Sequence, residues 1–372
     1  MSGWIYQNNQ WPNFTWDEGK LSEKLKNFYI VLGKYDAFLQ EDKNKPEPEF
    51  LDAISNSVIY SSAIEGVKLE YNSIKKSIVS EFEVVYDVNK KGKHLSKTPT
   101  DKLAIISHDI YSGIAELTKE KLCYWHELLI PEGTKDVEIG EYRTDLEGRM
   151  RVISGIGKKF KVHFEAPMAS ELEEEMNAFL NWFNSYKNNS VLDSLIFSGI
   201  AHFWFVTIHP FDDGNGRLAR YIGDLALMGL NLDSGFLSPS KQIYNSRNEY
   251  YDLLEATQKG DLDLTPWLLW YIDICLEAIN HKMDSLSKVS NVKRIKEKAN
   301  KLYLNKRQTK IINFLANKAL RVSSSKYATI CKCSQDTALR DLRDLIDKKL
   351  IMESESGGRS KFYYLYENKA NN

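Results

Sequence analysis

The sequence predicts a mainly α-helical protein with one small β-hairpin and a separate basic domain at its C-terminal end. Three observations carry that prediction. Apolar residues recur at helical spacing from about Leu21 to Met283. One glycine-centred run of β-branched residues interrupts them, Met150 to His163. Finally, residues Tyr303 to Asn372 hold 14 Lys and Arg against 7 Asp and Glu, whereas the whole chain balances 50 against 51 for a net charge of −1. An excess of positive charge confined to one part of a chain points to nucleic acid as a partner for that part.

Taken in order, the chain opens with Trp4, Tyr6, Trp11, Phe14 and Trp16, an aromatic cluster suited to capping a helical body. A second helical stretch runs from Pro46 to Val79 and contains Ser61-Ser62-Ala63-Ile64-Glu65-Gly66. Further helices are expected around 105–117, 119–129, 170–186, 191–208, 218–228, 246–258 and 266–283. Between Lys288 and Lys301 the charged run KVSNVKRIKEKANK has few apolar anchors and reads as a solvated helical connector. The expected organisation is therefore an N-terminal helical region (1–100), a central domain (101–287), a connector (288–302) and a C-terminal domain (303–372). In that last domain, helices over 306–316, 323–331 and 334–348 followed by two short strands resemble a winged helix-turn-helix. Gln335, Thr337, Ala338, Arg340 and Arg343 are candidates to face a DNA groove, with Lys332, Lys348, Lys349, Arg359 and Lys361 against phosphates. The alternation Arg340-Asp341-Leu342-Arg343-Asp344 weighs against DNA, and such domains also bind proteins.

Composition excludes several classes. With 372 residues, 42 % hydrophobic and 27 % charged, the chain is neither disordered nor fibrous. Four scattered cysteines do not make a disulfide framework, and Cys331 and Cys333 lack a second ligand pair for zinc. The opening residues carry no signal-peptide pattern. Ser194 to Phe211 lacks Asp, Glu, Lys and Arg until it meets Asp212, but its Ser, Thr and two His suit a buried core helix better than a membrane span. A soluble, cytoplasmic protein with no membrane association is expected.

The chemistry concentrates in His209-Pro210-Phe211-Asp212-Asp213-Gly214-Asn215-Gly216-Arg217-Leu218-Ala219-Arg220. An apolar helix ends at a histidine, and Gly-Asn-Gly opens the next helix, whose N-terminal N–H groups favour an anion. Arg217 and Arg220 share one helical face and add two positive charges. Asp213 beside this nest suits Mg²⁺ together with substrate phosphates, and His209 suits proton abstraction from an attacking hydroxyl. Phe211 is the residue to anchor the loop in the core. The alternative is a glycine turn with two surface arginines; a metal centre from His202 and His209 fails because seven residues do not bring both imidazoles to one ion.

Every specified position of H-x-F-x-D-G-N-G-R-x-x-R is filled, and the motif is similar to that of the Fic (filamentation induced by cyclic AMP) family. The resemblance extends over about 51–283 through Gly140-Glu141-Tyr142-Arg143, the glycine hairpin, Val162 to Pro167, Tyr250-Tyr251 and Gln258 to Asp261. It implies a protein adenylyltransferase that moves AMP from ATP to a Ser, Thr or Tyr hydroxyl of a protein, itself included. By that analogy His209 is the base, Asp213 holds Mg²⁺, and the backbone around Gly214, Asn215 and Gly216, with the Asn215 side chain, cradles phosphate oxygens, Leu218 and Ala219 being counted with them as nucleotide-binding. Arg217 and Arg220 neutralise the leaving pyrophosphate. Ser154, Gly155, Ile156 and Gly157 of the hairpin lie near the nucleotide, and the hairpin offers an edge to which a target segment adds as a strand; a purely structural hairpin is the alternative. Tyr250 and Tyr251 flank adenine or ribose, with Gln258 beyond, unless they are packing residues.

Ser61 to Gly66 matches the family's inhibitory pattern, Ser/Thr-x-x-x-Glu-Gly/Asn. The expectation is an ion pair between Glu65 and Arg220, with Ser61 one turn earlier fixing the Glu65 rotamer. A plain helix end with a capping glycine is the alternative. The other readings are a nucleotide-sensing DNA-binding regulator, a different nucleotide donor, or removal of AMP. A homodimer is the family prior.

Overall fold

A computed structural model describes residues 3–41, 47–86, 98–112, 116–146, 148–156, 159–189, 192–230, 237–317, 321–354 and 361–366. Two compact units divide it, 1–280 and 281–372. The N-terminal helices therefore share one unit with the central ones, and no division falls at residue 100.

The first unit begins with the aromatic cluster, which packs as a cap. Trp11 and Phe14 meet Trp204 edge-on, Trp4 meets Phe164, and the Trp11 indole donates to Glu175 at 2.9 Å. Helix α1 (Glu18–Glu41) follows. The stretch expected as one helix over 46–79 is two, α2 (Glu47–Ile64) and α3 (Tyr71–Tyr86). The break comes from Gly66, at φ +80°, whose N–H and that of Val67 return to Ala63 and Ser62 carbonyls. This left-handed end satisfies the last carbonyls of α2 and stops it.

Helix α4 (Pro99–Tyr111) starts six residues before its expected start. Thr98-Pro99-Thr100-Asp101 is the reason: Thr98 accepts from the Asp101 N–H, the Asp101 carboxylate accepts from the Thr98 N–H, and Pro99 has no N–H to lose. Helix α5 (Lys119–Leu129) leads into the β1 (Arg151–Ile156) and β2 (Lys159–Glu165) hairpin, antiparallel with a bulge between Val152 and Ile153. Then come α6 (Leu172–Asn189), α7 (Ser194–Ile208), α8 (Asn215–Leu227), α9 (Ser240–Asn245) and α10 (Arg247–Gln258). Every residue of α7 from Leu195 to Ile208 is buried. The apolar run thus forms the central core helix rather than a span, and among the described residues no helix is long and apolar enough to cross a membrane.

Helix α11 (Thr265–Asn300) continues through the expected connector, so the division at 280 falls within a helix. The second unit adds α12 (Lys306–Asn317), β3 (Val322–Ser323), α13 (Ser324–Cys331), α14 (Gln335–Asp347), β4 (Ile351–Glu353) and β5 (Phe362–Leu365). Its sheet has three antiparallel strands in the order β3-β5-β4. Strand β3 was not expected, because two residues leave no periodicity to read. Ser323 and Ser334 are N-caps that accept from the Lys326 and Thr337 N–H groups. Ala338 is fully buried in the core with Leu342 and Leu345, so it does not face outward as expected. Asp341 also turns inward, accepting from Arg307 at 2.7 Å, Asn305 at 2.9 Å and Tyr327 at 3.0 Å. Arg359 lies outside the described residues.

Candidate active site

The loop between α7 and α8 is fixed from several sides. His209 ends α7 in the left-handed region, at φ +55°. Its Nδ1 lies 3.1 Å from the Val206 carbonyl, which only accepts, so Nδ1 carries the proton. Burial, with Arg143 nearby, pushes His209 down to about 4. At neutral pH the ring is therefore uncharged with a lone pair on Nε2, the state of a proton acceptor. Phe211 is fully buried and stacks on His126 with ring centroids 4.1 Å apart. The Asn215 side chain accepts from the Phe211 N–H at 3.0 Å and donates to the Phe211 carbonyl at 2.6 Å. Asn215 thus clasps the loop, and its amide is not turned to phosphate as expected. Gly214 precedes α8 at φ +82°, and Asp213 Oδ1 accepts from the Gly214 N–H while Oδ2 meets Arg217 at 3.2 Å. Leu218 and Ala219 are fully buried, so they support the loop from behind through packing.

Arg217 and Arg220 are both buried, and Arg217 Nε and Arg220 Nη1 have no hydrogen-bond partner among the described residues. Arg220 Nη2 donates to Glu65 Oε1 at 2.7 Å and to the Ser61 carbonyl at 2.9 Å, and its Nε donates to Ser61 Oγ at 2.9 Å. Burial alone would lower the Arg220 guanidinium; Glu65 carries it above its ordinary value. Ser61 therefore grips Arg220 directly, a correction to its expected bond with Glu65. Glu65 Oε2 receives the Tyr251 hydroxyl at 3.4 Å instead. Gly216 makes this possible: a Cβ there would stand 2.5 Å from Glu65 Oε1.

The expected nucleotide-side residues divide. Tyr251 is exposed and reaches Glu65. Tyr250 is buried, stacked on Trp270, with its hydroxyl 3.1 Å from His202 Nε2. Gln258 is buried too and donates to Thr207 at 3.2 Å. Both are packing residues here. In the hairpin, Ser154 Oγ bonds His163, Gly155 sits at φ +101°, Ile156 ends β1, and Gly157 lies outside the described residues.

Residues 116–227 match the Fic/DOC family. The chain carries a Fic domain. Residues 4–84 match a domain of unknown function (DUF4172), a range that holds the aromatic cap and Glu65. Over 222 residues the chain is 28 % identical to the protein adenylyltransferase Fic of Nematostella vectensis, covering 57 % of this chain and 45 % of that one. Over 97 residues it is 36 % identical to the protein adenylyltransferase fic-1 of Caenorhabditis briggsae, covering 26 % and 18 %. The chain thus spans less than half the length of these relatives. The crystal structure of a Fic family protein from Desulfovibrio desulfuricans G20 superposes with a TM-score of 0.55 at 19 % identity, covering 96 % of this chain and 98 % of that one, a likeness of fold.

Two supports of the Fic loop escape a reading of the sequence. Arg143, fully buried, donates from Nε to the His209 carbonyl at 2.8 Å and from Nη2 to the Pro167 carbonyl at 2.6 Å, while its N–H reaches the Pro210 carbonyl. His126 accepts the Gly140 N–H at Nδ1, so its Nε2 carries the proton donated to the Asp213 carbonyl at 3.1 Å. A third feature ties α2 to α8. Asp224 Oδ2 accepts from Ser57 at 2.9 Å and from Tyr111 at 3.1 Å, one turn along both helices from the Ser61–Arg220 grip. Burial pushes the Asp224 carboxyl up to about 7.

Proposed function

We propose that the chain transfers the adenylyl group of ATP to a protein hydroxyl, and that Glu65 restrains the reaction by holding Arg220. The observation that carries this reading is the pairing of a neutral His209, its Nε2 free to accept, with two buried arginines whose unused N–H groups call for an anion. In the reaction His209 Nε2 takes the proton of the target Ser, Thr or Tyr hydroxyl. The oxygen bonds to the α-phosphorus as the bond to pyrophosphate breaks, and Arg217 and Arg220 balance the charge that leaves. Positioning and fixed charge do most of the work. Asp213 presents a half-exposed carboxylate beside this anion nest, a donor set that fits Mg²⁺ shared with phosphates; the ion would supply charge neutralisation on ATP. The relatives' names support transfer of AMP to protein.

Glu65 enters the space left by Gly216 and occupies Arg220 Nη2, so that nitrogen is withheld from ATP phosphates in this state while Nη1 stays unpaired among the described residues. Incubation with α-labelled ATP, Mg²⁺ and cell lysate tests both parts. Glu65→Gly should label lysate proteins at least about tenfold more than wild type, a shift of ~1.4 kcal/mol, and Glu65→Gly/His209→Ala should not label them. Absence of label with the folded single variant would overturn the reading; label from a different nucleotide would reassign the donor.

A second reading is that the C-terminal unit is a winged helix that binds nucleic acid; its three helices and the β3-β5-β4 sheet support it. The acids of α14 do not oppose it: Asp341 is buried, and Asp344 is bonded to Gln308 and Lys348. Arg340 and Arg343 stand exposed on α14. Duplex DNA titrated across a salt series should bind, more weakly after Arg340→Ala/Arg343→Ala. Salt-insensitive or absent binding would return this unit to protein contacts.

A further inference from the structure

The aromatic cluster at the start of the chain divides its contacts between two places. Trp11 and Phe14 cap the helical body at Trp204. Trp4, which opens a 3₁₀ turn over Ile5–Gln7, and Tyr6 pack instead on the exit of β2. Both rings meet Phe164 edge-on, with centroids 5.2 Å and 6.2 Å away, and the Tyr6 hydroxyl donates to the Ala166 carbonyl at 3.2 Å. Lys259, which follows α10, lies over the Trp4 ring at 5.6 Å.

That exit is also where the hairpin meets the catalytic loop. The Phe164 ring is fully buried, and its centroid lies 6.5 Å from that of His209 with the planes inclined by 56°. Three residues on, the Pro167 carbonyl accepts from Arg143, which donates to the His209 carbonyl as well. Among the described residues the His209 imidazole makes one hydrogen bond, from Nδ1 to the Val206 carbonyl. The second side-chain torsion of a histidine has broad minima, so packing must set the plane of the ring. A two-stranded hairpin does not hold its own place. Phe164 therefore takes its position from the rings that meet it, and edge-on aromatic contacts are directional.

We propose that Trp4 and Tyr6 are positioning residues for the base: they fix Phe164, and Phe164 walls the His209 imidazole so that Nε2 stays aimed at the target hydroxyl and apart from water. This rests on the transfer reading above. A cap that only buries Phe164 would make the same contacts without any effect on the base. The segment has anchors besides these two rings, since the Trp11 indole bonds Glu175 and Thr15 exchanges backbone hydrogen bonds with Leu262 and Leu264. Trp4→Ala/Tyr6→Ala is therefore expected to fold.

Initial rates of lysate labelling at saturating α-labelled ATP with Mg²⁺ test it in the Glu65→Gly background, at pH 7.5 and 5.5, with the folded fraction read by circular dichroism. The charged groups that face His209 are Arg143, Asp213 and Glu65. The first two are present in every variant and the third in none. Tyr6 is uncharged at both pH values, because burial pushes its hydroxyl up to about 12. Trp4→Ala/Tyr6→Ala should label at least about fivefold more slowly at pH 7.5. It should lose at least about another fivefold at pH 5.5, where an imidazole open to water is mostly protonated. Trp4→Phe/Tyr6→Phe keeps both rings and should restore both rates to within about threefold. Phe164→Leu alters the wall without touching the turn and should reproduce the loss at pH 5.5. Unchanged rates in the folded alanine pair overturn the assignment and leave adenylyl transfer standing. A lower rate with an unchanged ratio between the two pH values, or one that the phenylalanine pair does not restore, makes the turn a structural cap and overturns it too. No label from Glu65→Gly alone overturns the transfer reading and this assignment with it.

Discussion

The loop 209–215 and the hairpin β1–β2 flank the same site but are held by opposite means. The loop is gripped by buried groups: Arg143 on two carbonyls, His126 on a third, and Asn215 on the Phe211 backbone. The hairpin is held by charged pairs at the surface, Arg149 and Arg151 on Glu165 and Lys161 on Glu255, with a hydrogen bond between His163 and Glu255. Val152, Ile153 and Phe160 remain exposed on it. Buried bonds to charged groups fix geometry because breaking one strands a group away from water. Exposed ion pairs cost little to exchange. On the reading proposed above, the part that would position phosphate is built stiff, and the part that would meet a target is held by contacts that exchange easily.

The largest effect should come from breaking the stiff part. Arg143→Ala leaves the His209 and Pro167 carbonyls without their donor, and is expected to cost about 3 kcal/mol in urea unfolding. It should lower labelling of lysate proteins on the order of a hundredfold in the Glu65→Gly background, through misplacement of His209. Wild-type-like stability and rate would show that the loop is not held by Arg143.

A smaller effect sharpens the contrast through pH. His209 has its pKa at about 4 in the folded protein, against an ordinary value of about 6.5. The unfolded chain therefore takes up this proton first, so stability from this group is lost as pH falls from about 6.5 through 4. At pH 5.5 an ordinary imidazole is roughly 90 % protonated, whereas His209 stays neutral. Lysate labelling by Glu65→Gly at pH 5.5 should stay within about twofold of its value at pH 7.5 as far as the base is concerned. A tenfold fall would mean the imidazole is as accessible to protons as one in water. The smallest effect belongs to the adjustable part: Arg151→Ala should change the unfolding free energy by no more than about 0.5 kcal/mol.

What could be read from the sequence followed how local its cause was. Helix periodicity, the loop-to-helix turn and the hairpin depend on neighbours in the chain, and each stands at or near its expected place. The Thr98 capping signal is just as local, and it marks the start of α4. Arg143 and His126 are different, because each acts on a loop 66 to 87 residues later, and nothing in their own surroundings marks that partner. Asn215, Tyr250 and Gln258 were assigned outward roles from their position in a pattern, but the pattern does not say which polar atoms the core must satisfy. Packing decided that for all three.

The left-handed end of α2 has a consequence for how such a restraint arises and is lost. Ser57, Ser61 and Glu65 follow one another at four-residue intervals and meet Asp224 and Arg220, themselves four apart on α8. The restraint is thus a matter of phase between two rods. One residue inserted between Ser61 and Glu65 would turn the carboxylate about 100° away from Arg220 while leaving every residue of the catalytic motif intact. On the proposed reading, length as well as chemical identity would decide whether Glu65 restrains transfer.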